Sequence, residues 1–469
     1  MPLMRIERDT LGPVEVPEEA LYGAQTQRAV ENYPISGLRE HPTFIRAFVR
    51  LKKAAALANG ELGTMEANVR DAIVAACDAI LADEAGHRQH FVVDVFQAGA
   101  GTSFNMNVNE VIANLANVSL GGKVGDYAPV HPNDHVNMGQ STNDVFPTAI
   151  RVAAVDLLGE LFPRLDLLCE ALDAKGDEFA DVIKSGRTHL QDAVPVTLGQ
   201  EFKAYAAALA RATRMLRDSA SELQDLGIGG SATGTGINTP TGYRYVVVRH
   251  LNAVVGAELF GSNPDLRESM QSQLPVAAVS AALRNLALEL TRITNDLRLL
   301  ASGPHTGLAE IILPSVQPGS SIMPGKVNPS LLECMNQICF HVIGADTAIA
   351  YATQAGQLEL NVMMPLMAFE LLFSIDIVKN FLPVFIDKCI RGIAADRARC
   401  EAYYISSPSL ATALNPIIGY ARAAEIAKES AKSGTPIPTL LREKKLLSDD
   451  EITRIFTPEF LAGQADRQA

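Results

Sequence analysis

Between residues 276 and 300 the apolar side chains fall at alternating steps of three and four: Val276, Val279, Leu283, Leu286, Leu290, Ile293, Leu297 and Leu300. That spacing lays one stripe down one side of a helix about seven turns long. A stripe of this length cannot be covered by short elements, so the helix has to lie lengthwise on others like itself. Phe202, Tyr205, Leu209, Ala212, Leu216 and Leu223 draw a second stripe, with Lys203, Arg211, Arg214 and Asp218 set off it. Residues 142–180 read as a third long helix starting near Asn143 and Asp144, and 330–352 and 357–382 as two more. The last contains "LNVMMPLMAFELLFSIDIV", apolar on most sides and therefore expected to be surrounded by other helices.

Five such helices predict an all-α fold: a long central helix bundle at 141–397, flanked by two smaller mainly helical domains at 1–140 and 398–469. The flanks mix short helical patterns with turn-rich stretches such as "VGDYAPVHPNDH", "SSPS" and "SGTPIP". Helices this apolar ask for more partners than one chain supplies, which points to a homo-oligomer sharing its bundle. The formal charge of −13 repels phosphate backbones and anionic membranes, so nucleic acid is excluded as a partner. The N-terminus lacks the apolar core of a signal peptide and no uninterrupted apolar run reaches about 20 residues, which predicts a cytoplasmic protein with no membrane partner. The six cysteines are scattered; Cys334 and Cys339, five apart, do not share a helix face and form neither a redox pair nor a metal half-site.

Chemistry has four candidate segments: "GAGTSFNMNVNE" (99–110), "HVNMGQSTNDVFP" (135–147), "GRTHLQDAVP" (186–195) and "GSSIMPGKVNP" (319–329). Each is rich in neutral donors and is expected beside a helix start, where unpaired backbone N–H groups gather and an anion is welcome. Each also has a plain structural reading. "STND" is a good N-cap with an acidic first turn, "THLQD" can be a cap, and "GTSFN" can be a simple turn.

The 319–329 loop is harder to explain structurally. Its prolines and glycines bar regular structure, while Ile322, Met323 and Val327 are apolar enough to hold it partly buried against a core. It is not a nucleotide cradle, because five residues separate Gly319 from Gly325 and Val327 follows Lys326 where a P-loop has Ser or Thr. "GIGGSATGTG" (227–236) lacks the preceding strand of a dinucleotide site, and His131 and His135 lack a metal-binding arrangement.

Taken together, "HVNMGQSTND", "GRTHLQDAVP" and "GSSIMPGKVNP", in this order along the chain, resemble the three active-site regions of the aspartase/fumarase superfamily of lyases, and the resemblance runs nearly end to end. Thr142, Val194 and the stretches "ENYPISG", "MNQICFHVIG" and "AGQLELNVM" are similar to the aspartase branch, whereas "YGAQTQRA" leans toward the fumarase branch. His305 stands where both branches usually have arginine, and Met364 where aspartases commonly have glutamate; an imidazole does not replace a charged fork conservatively.

The resemblance implies anti elimination of ammonia from L-aspartate, a C4 dicarboxylate, through an aci-carboxylate. It leaves a fumarase-type or related C4 lyase as the alternative and a non-catalytic homologue as a remote one. It implies that Thr102, Ser141, Thr142 and Ser321 hold the carboxylate whose charge grows, and that Lys326, Asn328 and Thr188 hold the other. The amino group would lie near Asn143, Thr188 and His189, with Glu333 the acidic partner of His189 and Ser320 the general base. No organic cofactor or metal is required by this scheme. The resemblance further implies a homotetramer whose active sites draw residues from three chains.

Overall fold

The structure is a computed structural model that describes residues 3–462. It is mainly helical, and the sheets found among the described residues are two-stranded. The elements that matter below are the strands β1 (Met4–Asp9) and β2 (Gly12–Pro17), the helices α1 (Pro42–Glu61), α2 (Thr102–Ser119) and α3 (Thr142–Glu178), the strands β3 (Ile183–Thr188) and β4 (Gln191–Thr197), and the helices α4 (Leu198–Ala220), α5 (Leu274–Leu300), α6 (Ser330–Gln354) and α7 (Met364–Lys388). Two compact units emerge. One contains residues up to Phe162, Arg214–Asn285 and Phe340–Lys379; the other contains Pro163–Thr213, Leu286–Cys339 and the chain from Asn380 onward.

All eight residues of the 276–300 stripe are buried, as are all six of the second stripe. At about 1.5–3 kcal/mol for each large apolar side chain removed from water, these two stripes alone are a major source of cohesion. Within the first unit Ser280 Oγ donates to Asp346 at 2.7 Å, joining α5 to α6, and Lys379 pairs with Glu160 at 3.0 Å, joining α7 to α3. Within the second, Thr294 bonds Asn336 and Tyr205 OH donates to Asp296 at 3.2 Å, so α5 again meets α6 and also meets α4. Among the described residues α5 alone is long and apolar enough to cross a membrane by length and composition. Its fully covered stripe and its bonds to Asp346, Asn336 and Tyr205 mark it as a core helix.

Helix α7 starts at Met364, not at 357. Asn361 intervenes: its Nδ2 donates to Ala352 O and Thr353 O, closing the end of α6, while its Oδ1 accepts from Met363 N. One amide thus ends one helix and starts the next, and 355–363 stays irregular.

In the first unit an aromatic cluster holds three helices together. Phe44 and Phe48 of α1 meet Phe104 of α2 and Phe146 of α3 at centroid separations of 5.0–5.6 Å, mostly edge to face. Two of these rings lie within the first two turns of helices, those beginning at Thr102 and Thr142. In the second unit Leu410, Leu414, Ile426, Ile437, Leu441 and Ile455 form a separate small core among the C-terminal helices, with Ile183 at the start of β3 packed on it.

Candidate active site

The first unit carries Thr102 and Ser141–Asn143. Gly101 precedes Thr102 in the left-handed region, and its α-hydrogen faces the Phe146 ring so closely that a Cβ would lie 2.0 Å from Cε2. Thr102 itself is exposed at the first position of α2. At the head of α3, Ser141 Oγ accepts from Asn143 N at 3.3 Å and Asp144 accepts from Ser141 N at 2.9 Å, a reciprocal cap. The N-cap reading of "STND" therefore holds. Ser141 still has its own O–H to donate. Thr142 Oγ1 accepts from Asn105 at 3.0 Å, and Asn143 Nδ2 donates to Ala232 O at 2.8 Å.

The second unit carries the rest. Thr188 and His189 lie on a β-hairpin, not beside a helix cap as expected: β3 and β4 pair with Thr188 opposite Gln191, leaving His189 and Leu190 as a two-residue turn with φ of 57° and 58°. Positive φ at both positions is the type I′ turn that suits the twist of paired strands. Both side chains are solvent-exposed. A buried ion cluster anchors the hairpin, in which Lys184 pairs with Glu201 at 2.8 Å and Glu310 at 2.9 Å, and Arg187 pairs with Glu310 at 2.9 Å.

The 319–329 loop is irregular, as its prolines and glycines require, but it is not held down by its apolar residues. Ile322 is 83 % exposed, Met323 48 % and Val327 47 %. It is held by itself. Gly319 N donates to Lys326 O at 2.9 Å, Asn328 Nδ2 donates to Gly319 O at 2.6 Å, and Ser320 Oγ accepts from Ile322 N at 3.2 Å and Met323 N at 3.0 Å. The curl surrounds an open hollow of about 480 Å³ lined by Ser320 and Lys326 among others. Ser321 and Lys326 are exposed, and Glu333 sits half-buried in the first turn of α6. Among the described residues no hydrogen bond or ion pair joins Thr188 or His189 to the loop or to Glu333.

Comparison with known proteins decides the family. Residues 12–344 match the family model described as lyase, and residues 410–463 match the one described as fumarase C C-terminus. The chain belongs to the aspartase/fumarase superfamily of lyases. The aspartate ammonia-lyase of Helicobacter pylori strain J99 is 46% identical over 97% of each chain. Among solved structures, fumarate lyase:delta crystallin from Brucella melitensis bound to cobalt matches with a TM-score of 0.92 at 46% identity, covering 97% of this chain and 98% of that one. A recombinant class II fumarase from Schistosoma mansoni matches with a TM-score of 0.93 at 34% identity, covering 98% and 100%.

A buried polar network under the α3 terminus joins residues of the 99–110 and 135–147 segments to Lys52, which lies outside all four segments. Lys52 on α1 is fully buried, and its Nζ reaches Asn105 Oδ1 at 2.8 Å and Asn137 Oδ1 and Gln140 Oε1 at 3.0 Å each. Burial pushes this ammonium down to about 7, with the Asp144 charge opposing the shift. Asp144 is buried too, and desolvation pushes its carboxyl up to about 7 despite bonds from Ser141 N, Ser231 N and Gly229 N. Those last two bonds fix the 227–236 glycine-rich stretch against α3, which gives it a role other than nucleotide binding. The sequence signal for Lys52 is its place on the apolar face of α1, one residue after Leu51 and four after Phe48. Among the described residues no group of three or more His, Cys, Asp or Glu is arranged to hold a metal.

Proposed function

We propose that this chain is an aspartate ammonia-lyase, catalysing reversible anti elimination of ammonia from L-aspartate to give fumarate. The observation that carries the reading is the near-full-length likeness to aspartate ammonia-lyases. The residues are suited to the hard step, removal of a proton beside an ionised carboxylate, which loads a further charge onto the same two oxygens. Fixed neutral donors aimed at those oxygens favour the loaded state over the substrate. Ser141 and Thr142 at the head of α3 are such donors, with the N-terminal N–H groups of the helix behind them; Thr102 and Ser321 complete the set. Lys326, Asn328 and Thr188 take the unreacting carboxylate, and Asn143 and His189, with Glu333 behind the imidazole, face the amino group.

Ser320 removes the proton. A serine hydroxyl is a weak base, and the two loop N–H groups already bonded to its Oγ are the kind of donor that stabilises an alkoxide. Closure of the loop over bound substrate brings Ser320 to the carbon and excludes water. The working form is a cytoplasmic homotetramer with sites shared between chains.

A second reading, a related C4 lyase with a different leaving group, is favoured by two positions. Met364 places a fully buried thioether at the head of α7, and His305 lies exposed in the 304–307 bend. Fumarate formation followed by ultraviolet absorbance, with L-aspartate, L-malate and argininosuccinate in parallel, separates the two. Activity with aspartate alone is expected, activity with malate alone replaces the first reading by the second, and silence with all three sinks both. Light scattering on the same sample is expected to give four chains, and a stable active monomer rules out shared sites.

A further inference from the structure

The network under α3 has a direction that can be followed from one end to the other. A charged lysine offers three N–H donors and accepts nothing. The three neighbours of Lys52 Nζ are amide oxygens, those of Asn105, Asn137 and Gln140, a set that the charged form fills and that the nearby Asp144 charge favours. This decides which end of the Asn105 amide faces inward, a choice that the near-equal size and shape of its oxygen and nitrogen ends otherwise leave open. With Oδ1 committed to Lys52, the Asn105 NH2 turns outward, 3.0 Å from Thr142 Oγ1 and 3.2 Å from Asn137 Oδ1. Asn137 Oδ1 is filled from a further side by Asn109 Nδ2 at 3.2 Å. Thr142 Oγ1 is therefore an acceptor on its inner side. Its single proton is not used there, and no second partner of this hydroxyl is found among the described residues.

We propose that Lys52 and Asn105 are positioning residues that fix the polarity of the Thr142 hydroxyl, so that its O–H donates to the substrate carboxylate on which charge develops. This rests on the placement of Thr142 at that carboxylate under the function proposed above. Lys52 sets the amide, the amide occupies the lone pair of Thr142, and the hydroxyl proton is delivered before substrate arrives. Neutral acceptors around a buried ammonium are otherwise a poor bargain in stability, because a carboxylate there would solvate it better. A carboxylate, however, would accept the Thr142 proton and reverse the hydroxyl.

Asn105→Asp tests the proposal. It keeps the shape, gives Lys52 an ion-pair partner and removes the Nδ2 donor to Thr142 together with its longer bond to Asn137 Oδ1, which Lys52 and Asn109 still fill. The expected result is a melting temperature held or raised with turnover lowered about 100-fold, the size of losing one donor to a developing oxyanion. A merely structural role predicts that a stable, ion-paired variant keeps its activity. On a Thr142→Val background the same change is expected to cost nothing further, because the hydroxyl it reverses is already gone. If Asn105→Asp does not fold, Asn105→Leu, which takes away the donor to Thr142 together with one acceptor of Lys52, leaves the hydroxyl without a set polarity and is likewise expected to lower turnover. Near-wild-type turnover in either folded variant, or additive losses in the double variant, overturns the proposal. Should the unaltered protein release no fumarate from L-aspartate, the substrate reading fails on its own. The variants are then judged by calorimetric fumarate binding, where about tenfold weaker affinity supports the polarity argument and unchanged affinity removes it.

Discussion

At the head of α3 every polar side chain has a fixed partner, and that of Thr142 leads into the core. Ser141 is locked into a cap with Asp144, Thr142 is bonded through Asn105 to Lys52, and Asn143 is bonded to Ala232. In the 319–329 loop the Ser320 and Asn328 side chains bond only to the loop's own backbone, and its apolar side chains are exposed. Donors that must meet growing charge without delay gain from a fixed setting, because nothing has to reorganise during the reaction. A base that must approach, act and withdraw gains from a segment whose internal shape survives while its attachment changes. The two regions divide the proposed chemistry in that way, one prepared and the other delivered.

Ser320→Ala presses hardest on this division. Turnover is expected to fall by at least about 100-fold, within the usual range for losing a general base, while fumarate binding and the melting curve stay nearly unchanged. Near-normal turnover would mean that the loop delivers nothing. Two glycines then compare the regions by stability. Gly101→Ala forces a Cβ into the Phe146 ring at a φ of 83°, and a loss of about 2–4 kcal/mol is expected from overpacking and backbone strain. Gly325→Ala has a similar φ of 81° but meets no atom within 4 Å, and about 1 kcal/mol or less is expected. Equal drops in denaturant midpoint would erase the contrast.

An effect that shows only as pH changes lies behind Thr102. Gln97 Nε2 donates to Glu40 at 3.0 Å, and Gln97 Oε1 accepts from Phe104 N at 2.9 Å, so Glu40 supports the start of α2. Burial, with the nearby Asp94 charge adding to it, pushes the Glu40 carboxyl up from 4.5 to about 8. A carboxyl raised in the fold holds its proton more tightly there than in the unfolded chain. Stability is therefore lost as pH rises between those two values, at about 1.4 kcal/mol per unit. Glu40→Gln is expected to abolish that slope, its melting temperature pulling ahead of the parent's from pH 5 to pH 8. Parallel curves would show that Glu40 is not what makes this region pH-sensitive.

Much of the fold was legible because helical periodicity is local. Val276 to Leu300 announced α5, and all eight side chains are buried. The irregularity of 319–329 was equally local, written in its prolines and glycines. The exposure of Ile322 was not, since apolarity says what a residue favours and not whether a neighbour is present to cover it. The 183–197 hairpin escaped because its turn is His-Leu, without the Asn-Gly or Asp-Gly signal, and because the ion cluster that anchors it needs Glu310, more than 100 residues away along the chain. Lys52 escaped for the same reason: its partners lie 53, 85 and 88 residues further on, and no single stretch contains the network.

The turn at His189–Leu190 restricts what can replace the histidine. A left-handed backbone at 189 admits asparagine or glycine with little penalty and resists valine or isoleucine, whatever their side chains could contribute to substrate. A library randomised at that position to accept a new amine will be sorted first by which residues keep the hairpin closed. Its apparent preferences will then combine backbone geometry with molecular recognition.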